Sequence, residues 1–188
     1  LKKKTIIILS IVFFIIFTGL FIFYLIKGDS TRWLVALGGM MVSPIPATLL
    51  FFKKNPFNLP IIIGYYFTLV YSAILGSIAN FYYRFTWWDT SLHAYKGMYM
   101  AFVSIAIYKH LIPNNIQKDI SRPFIFLFVL SFPVMVSVLW EIYEFIGDQT
   151  FTHIMQEGGN KDTMIDLISS TASALLVSIY SVCIKRRF

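Results

Sequence analysis

KKKTIIILSIVFFIIFTGLFIFYLIK, residues 2–27, sets Lys2, Lys3 and Lys4 before a run from Thr5 to Ile26 that carries no charge, and closes on Lys27. At about 1.5 Å per residue, a hydrocarbon layer of about 30 Å needs about 20 mostly apolar residues, so this run can cross a bilayer. It is longer than the core of a signal peptide and no Ala-x-Ala-like site follows, so it is expected to stay attached as an anchor.

Composition extends the reading to the rest of the chain. The 188 residues are 57% hydrophobic, 18% aromatic and 13% charged, whereas about a quarter of a soluble domain is charged. The polar surface is too small for water, while lipid accepts the apolar excess. A formal charge of +7 raises nucleic acid as a partner, but the basic residues stand in short clusters between apolar runs, as topology determinants do, and nucleic acid is excluded. The lone Cys183 leaves no intramolecular disulfide.

Six runs of spanning size follow one another: 5–26, 33–52, 59–83, 91–112, 123–146 and 162–184. The expected fold is all-α, a single integral membrane domain over residues 1–188 with six transmembrane helices. Orientation comes from Lys and Arg, which concentrate in cytoplasmic connections. With the N-terminus inside, that side holds Lys2, Lys3, Lys4, Lys53, Lys54, Lys109, Lys118, Arg122, Lys185, Arg186 and Arg187, and the outside holds Lys27, Arg32, Arg84 and Lys161. Both termini are therefore expected in the cytoplasm. Trp33, Trp87, Trp88 and Trp140 fall near the outer ends of runs, as in an interfacial aromatic belt. Pro44, Pro46 and Pro133 should bend or unwind their helices. Ser72, Gly76 and Asn80, and likewise Ser170, Ala174 and Ser178, recur every four residues and give two helices a small-residue face for close packing.

The acidic residues are placed unevenly. Of Asp29, Asp89, Asp119, Glu141, Glu144, Asp148, Glu157, Asp162 and Asp166, only Asp119 falls on the cytoplasmic side. At about 100° per residue, Asp89, His93 and Lys96 share one stripe of the fourth helix. Glu141, Glu144 and Asp148 share a stripe of the fifth, with Ser137 a turn deeper, and Asp162, Asp166 and Ser169 or Ser170 share one of the sixth. A charge facing lipid costs roughly 2.5 to 3.5 kcal/mol at mid-span and less near the interface, so these groups should turn inward and meet. The loop from Gly147 to Lys161, flexible at Gly158 and Gly159, would shield them. Carboxylates with one imidazole suit a divalent cation such as Mg, Mn or Zn, and can also serve as general acid and base. Taken singly, Asp89 and Asp162 also read as helix N-caps, and His110 and His153 as exposed loop residues. Three readings of the cluster stay open: structural pairing of Lys96 and His93 with Glu141 or Asp166, a metal or catalytic site, and an ion or proton path.

Asp89-x-x-x-His93-x-x-x-Gly97, Glu141-Ile142-Tyr143-Glu144 and Asp162-Thr163-Met164-Ile165-Asp166-Leu167 resemble, in this order, motifs of the YjdF-type family of bacterial inner-membrane proteins. That family is similar in motif layout to VanZ-like membrane proteins. The resemblance covers the C-terminal half, and implies a multi-pass protein of a bacterial plasma membrane. Through the VanZ-like proteins, associated with resistance to a glycopeptide antibiotic, it hints at lipid-linked envelope molecules and membrane lipids as partners. Ala94, Tyr95, Lys96 and Phe145 depart from the family's text, and the Lys96 ammonium would compete with a bound cation.

The expected function is accordingly an outward-facing acidic and histidine pocket that binds or hydrolyses a lipid-linked or cell-envelope molecule. Asp89, His93, Asp162 and Asp166 would hold a divalent metal, Glu141 or Glu144 would act as base, and Lys96 would steady an anionic group. The alternatives are a proton- or cation-coupled transporter and a non-catalytic interaction protein with a structural polar cluster.

Overall fold

The computed structural model describes residues 2–52, 55–150 and 159–184. Lys53, Lys54, Lys185, Arg186 and Arg187 of the charge count, His153, Glu157 and Gly158, and most of the shielding loop lie outside the described residues. Every regular element among the described residues is helical: α1 (Lys2–Lys27), α2 (Ser30–Val42), α3 (Ile45–Thr48), α4 (Leu59–Leu69), α5 (Phe81–Arg84), α6 (Trp88–Leu111), α7 (Asn114–Gln117), α8 (Arg122–Thr150) and α9 (Asn160–Ile184). A 3-10 turn over Leu49–Phe51 follows α3, and a π-helix over Val70–Ile78 continues α4.

Among the described residues, five helical stretches are long and apolar enough to cross a membrane: Lys2–Lys27, Ser30–Phe51, Leu59–Ile78, Arg122–Thr150 and Asn160–Cys183. The 24 residues of α6 match them in length. That helix is set apart by composition, since Asp89, His93, Lys96, Lys109 and His110 fall within it. Ile15, Leu139, Ile168 and Leu176 are exposed, as lipid-facing side chains should be.

The chain divides into two compact units, residues 1–88 and 89–188. In the first, Ile6, Ile62 and Tyr66 form a buried core with Leu9, Phe13 and Leu49 packed on it. Asp29 caps α2: its carboxylate accepts from the Arg32 backbone N–H and from the Arg32 guanidinium. Those bonds hold its carboxyl below the ordinary carboxylate range.

The prolines break α2 as the sequence predicts, and their freed carbonyls are covered. Pro44 and Pro46 have no N–H for the carbonyls of Met40 and Val42, four residues back. The Ser43 hydroxyl lies 3.2 Å from the Met40 oxygen, and the Tyr65 hydroxyl donates to the Val42 oxygen at 2.7 Å. Tyr66 adds a bond to the Ser43 oxygen at 3.0 Å and meets the Ser10 hydroxyl at 2.6 Å. A bare carbonyl in hydrocarbon costs several kcal/mol. Tyr65→Phe, which bares the Val42 oxygen, is therefore expected to destabilise the protein by about 1 to 3 kcal/mol, read as a lower thermal midpoint in detergent, whereas Tyr180→Phe at an exposed position should leave it unchanged.

Two sequence expectations need correction in this unit. The Ser72, Gly76 and Asn80 stripe ends at Gly76, because the helix stops at Ile78 and Asn80 adopts the left-handed conformation at φ 62°. Asn tolerates that conformation better than most residues, so it serves here as a breaker. Trp88 is not interfacial: it is buried, stacked on Tyr71 at 4.2 Å with Phe81 edge-on at 4.8 Å.

In the second unit Ala101, Tyr108, Ile125, Val129, Ala174 and Val177 make a core from α6, α8 and α9. Ser170, Ala174 and Ser178 are all buried, so this small-residue face does pack. Where α6 passes α9, Gly97 has no room for a side chain: a Cβ there would lie 2.2 Å from the Ser170 carbonyl oxygen. α8 runs unbroken through Pro133. Its freed acceptor, the Val129 oxygen, is 3.4 Å from the Ser104 hydroxyl, which also bonds the Ala101 oxygen at 2.8 Å.

Candidate functional site

The ionisable groups expected to meet lie on α6, α8 and α9, all within residues 89–188. Asp89 and Asp162 sit in the first turns of α6 and α9, so neither is an N-cap: the helices begin at Trp88 and Asn160, one and two residues earlier. A carboxylate in a first turn is still favoured, by the positive end of the helix dipole.

His93 is the pivot. It is 2% exposed, with Glu141 at 5% and Asp166 at 2%. Its Nε2 lies 3.7 Å from Asp89 Oδ1, one turn earlier on α6, and its Nδ1 lies 3.6 Å from Glu141 Oε1 on α8. Both gaps exceed the reach of a hydrogen bond, about 2.7 to 3.2 Å. His93 Nε2, Glu141 Oε1 and Asp166 Oδ1 are buried with no hydrogen-bond partner among the described residues, as is the hydroxyl of Ser137 one turn below Glu141.

Two sets of possible ligand atoms share the ring. Asp89, His93 and Asp166 offer three atoms within 4.8 Å of one another, and so do His93, Glu141 and Glu144. Asp162 belongs to neither set and stands one turn before Asp166. Donors that share a cation at about 2.0 to 2.2 Å sit about 3 to 3.5 Å apart, so small side-chain rotations suffice to close either set. Leaving such groups buried and unpaired is costly, and a cation would satisfy the carboxylates and one ring nitrogen together.

The surroundings hold features that spacing did not point to. Lys96 Nζ lies over the Trp140 ring, 4.1 Å from its centroid, and Trp140 Nε1 donates to Glu144 Oε1 at 2.7 Å. The ammonium thus rests on an aromatic face. The i,i+4 spacing of Trp140 and Glu144 is the one signal of this pair in the sequence, and it competes with the reading of Trp140 as a belt residue. Ser169, which spacing does set on the stripe of Asp162 and Asp166, donates from Oγ to the Thr90 oxygen at 2.8 Å, tying α9 to α6 beside Asp166. Between α8 and α9 a mostly apolar cavity of about 400 Å³ reaches Glu141, with Thr163 and Leu167 also in its wall.

Apolar helices of spanning length, with acidic and imidazole groups turned in among three of them, define a multi-pass helical membrane protein. More particularly, the chain belongs to the family described as predicted membrane protein (DUF2238), whose model matches residues 8–187. It is also similar to a protein of Thermotoga maritima described as uncharacterized, 30% identical over 96 residues, which cover 51% of this chain and 48% of that protein. The chain thus aligns with about half the length of that relative. No solved structure matches.

Proposed function

We propose that the protein carries a divalent-cation site formed by Asp89, His93 and Asp166 beneath the outer surface of a bacterial plasma membrane, and that it binds or hydrolyses a lipid-linked envelope molecule there. The observation that carries this is the set of orphaned atoms: His93 Nε2 and Asp166 Oδ1 are buried with no hydrogen-bond partner among the described residues, and Asp89, His93 and Asp166 each offer a ligand atom within 4.8 Å of the others. A cation on Nε2 leaves Nδ1–H to face Glu141, the usual arrangement in which a carboxylate fixes the ring of a metal-binding histidine. The donor set is hard to borderline and suits Mg, Mn or Zn.

In this reading Glu144, held by Trp140, and Glu141, at the mouth of the apolar cavity, are placed to move protons. The cavity accepts part of an aliphatic chain, and Lys96 faces an anionic head. Asp162 serves at the rim and not as a ligand. The likeness of the motif order to VanZ-like proteins favours an envelope molecule. The transporter reading is weaker, because α8 has no ionisable side chain between Arg122 and Glu141 to continue a path.

The test is metal analysis of the full chain, purified in detergent, exposed to Mg, Mn or Zn and dialysed. The expected result is retained metal that falls in His93→Ala and Asp166→Asn while helix content is kept. Retention unchanged in both variants, or no retention by the wild type, would overturn the site.

The orientation proposed with it, six spans and both termini inside, has its own check. Asn115→Cys in a Cys183→Ser background introduces a thiol in the exposed connection after α6. A membrane-impermeant maleimide is expected to label it only once the cytoplasmic face is opened.

A further inference from the structure

A second cavity, of about 620 Å³, lies near the opposite ends of the same three helices. Lys109 and Tyr108 reach it from the last turns of α6, Asn114 and Lys118 from α7 and its C-cap, and Arg122 from the start of α8. Ile105, Ile125 and Val129 give it an apolar floor. Among the described residues, three cationic side chains line the space and no carboxylate does; Asp119, the nearest acid in sequence, is exposed and is not part of the wall.

Tyr108 supplies an independent observation. It is 7% exposed, and its hydroxyl is buried with no hydrogen-bond partner among the described residues. A buried phenol normally finds one, and leaving it bare costs about 1 to 3 kcal/mol. Two of the other donors on the wall are already used: Gln117 Nε2 donates to the Ile112 oxygen at 2.6 Å, and the Ser181 hydroxyl to the Ser178 oxygen at 2.7 Å. A space with an orphaned donor, an amide and three cations calls for an oxyanion with several acceptor oxygens.

We propose that this basic cavity binds a phosphate group, carried either by an anionic lipid headgroup or by a free phosphate ester. Arg122 and Lys118 neutralise it at the mouth, Lys109 flanks it, and Tyr108 donates to one of its oxygens from below. Under the proposed orientation this end meets the cytoplasmic leaflet, where basic pockets between helices meet anionic headgroups. The phosphate site itself does not depend on that orientation, nor on the cation site at the other end.

The experiment uses the full chain, delipidated in nonionic detergent, and follows thermal stability in two arms. One titrates phosphatidylglycerol in the micelle against phosphatidylcholine as control. The other titrates glycerol 3-phosphate and inorganic phosphate. Binding in the first arm assigns a lipid headgroup, binding in the second a soluble ester, and either supports the site provided the variants respond. Lys118→Gln and Arg122→Gln are each expected to weaken binding about 10-fold, the effect of losing one charge-assisted bond. Tyr108→Phe, which removes one oxygen and keeps the packing, is expected to weaken it about 5-fold. No binding in either arm, phosphatidylcholine binding as well as phosphatidylglycerol, or affinities unchanged in Lys118→Gln and Tyr108→Phe would overturn the proposal.

Discussion

His93→Ala is expected to weaken divalent-cation binding by on the order of 100-fold or more, and by more than any single carboxylate replacement. The ordering follows from geometry. His93 supplies a ring nitrogen to both groups of potential ligands, one with Asp89 and Asp166 and the other with Glu141 and Glu144, and Asp89 lies by Nε2 while Glu141 lies by Nδ1. Losing Asp166 dismantles only the first group. Losing Glu141 leaves the ring in place without the carboxylate that orients it, and such outer partners are worth about 10- to 100-fold in affinity. Isothermal titration of Mn or Zn into the purified chain, with Asp166→Asn and Glu141→Gln alongside, measures the order. If Glu141→Gln proves worse than His93→Ala, the cation lies on the α8 side of the ring and the assignment of Asp89 and Asp166 fails.

Gly97→Ala should be the most damaging single-methyl change in the second unit, destabilising it by about 1 to 3 kcal/mol. In an unencumbered helix the same exchange stabilises by about 1 kcal/mol, so the sign is decided by what the methyl meets. Here it would stand 2.2 Å from the Ser170 carbonyl oxygen, 2.8 Å from the Ser170 carbonyl carbon and 2.5 Å from Ser173 Oγ. Two of these are backbone atoms, so rotating a side chain cannot relieve the clash and α6 must move away from α9. That movement stretches the bond of 2.8 Å between Ser169 Oγ and the Thr90 oxygen and carries Asp166 away from His93, one turn from the contact. Thermal midpoint and cation affinity should fall together. Gly38→Ala in α2, where an added Cβ meets nothing within 4 Å, supplies the opposite sign as a control. A neutral Gly97→Ala would mean that the two helices are not in contact there.

Much of this was legible before any coordinates. Hydrophobic length located the apolar helices because lipid imposes one strong constraint over some 20 residues. Helical period brought His93, Glu141 and Asp166 to one depth, because side chains a turn apart must share a face. The same logic failed wherever a partner from elsewhere in the chain decides the outcome. Nothing in the spacing of α4 announces a π-helix from Val70 to Ile78, and so the stripe through Asn80 was drawn too long. Trp88 reads as interfacial until Tyr71 and Phe81 are found against it. Lys96 reads as a partner of the carboxylates, and spacing does not reveal the Trp140 ring that its ammonium also rests on. Asp89 and Asp162 were misread as caps because helix starts depend on backbone bonds that composition does not encode.

The hydroxyls that face the proline-freed carbonyls impose an order on biogenesis. Tyr65 leaves the ribosome after Pro46, so the Val42 oxygen must wait in water, at the membrane surface or inside the translocon until a later segment arrives to cover it. Ser104 leaves before Pro133, so the Val129 oxygen emerges to a donor already made. The N-terminal unit is therefore expected to commit to the lipid late and as a group, and α8 to insert as soon as it is synthesised.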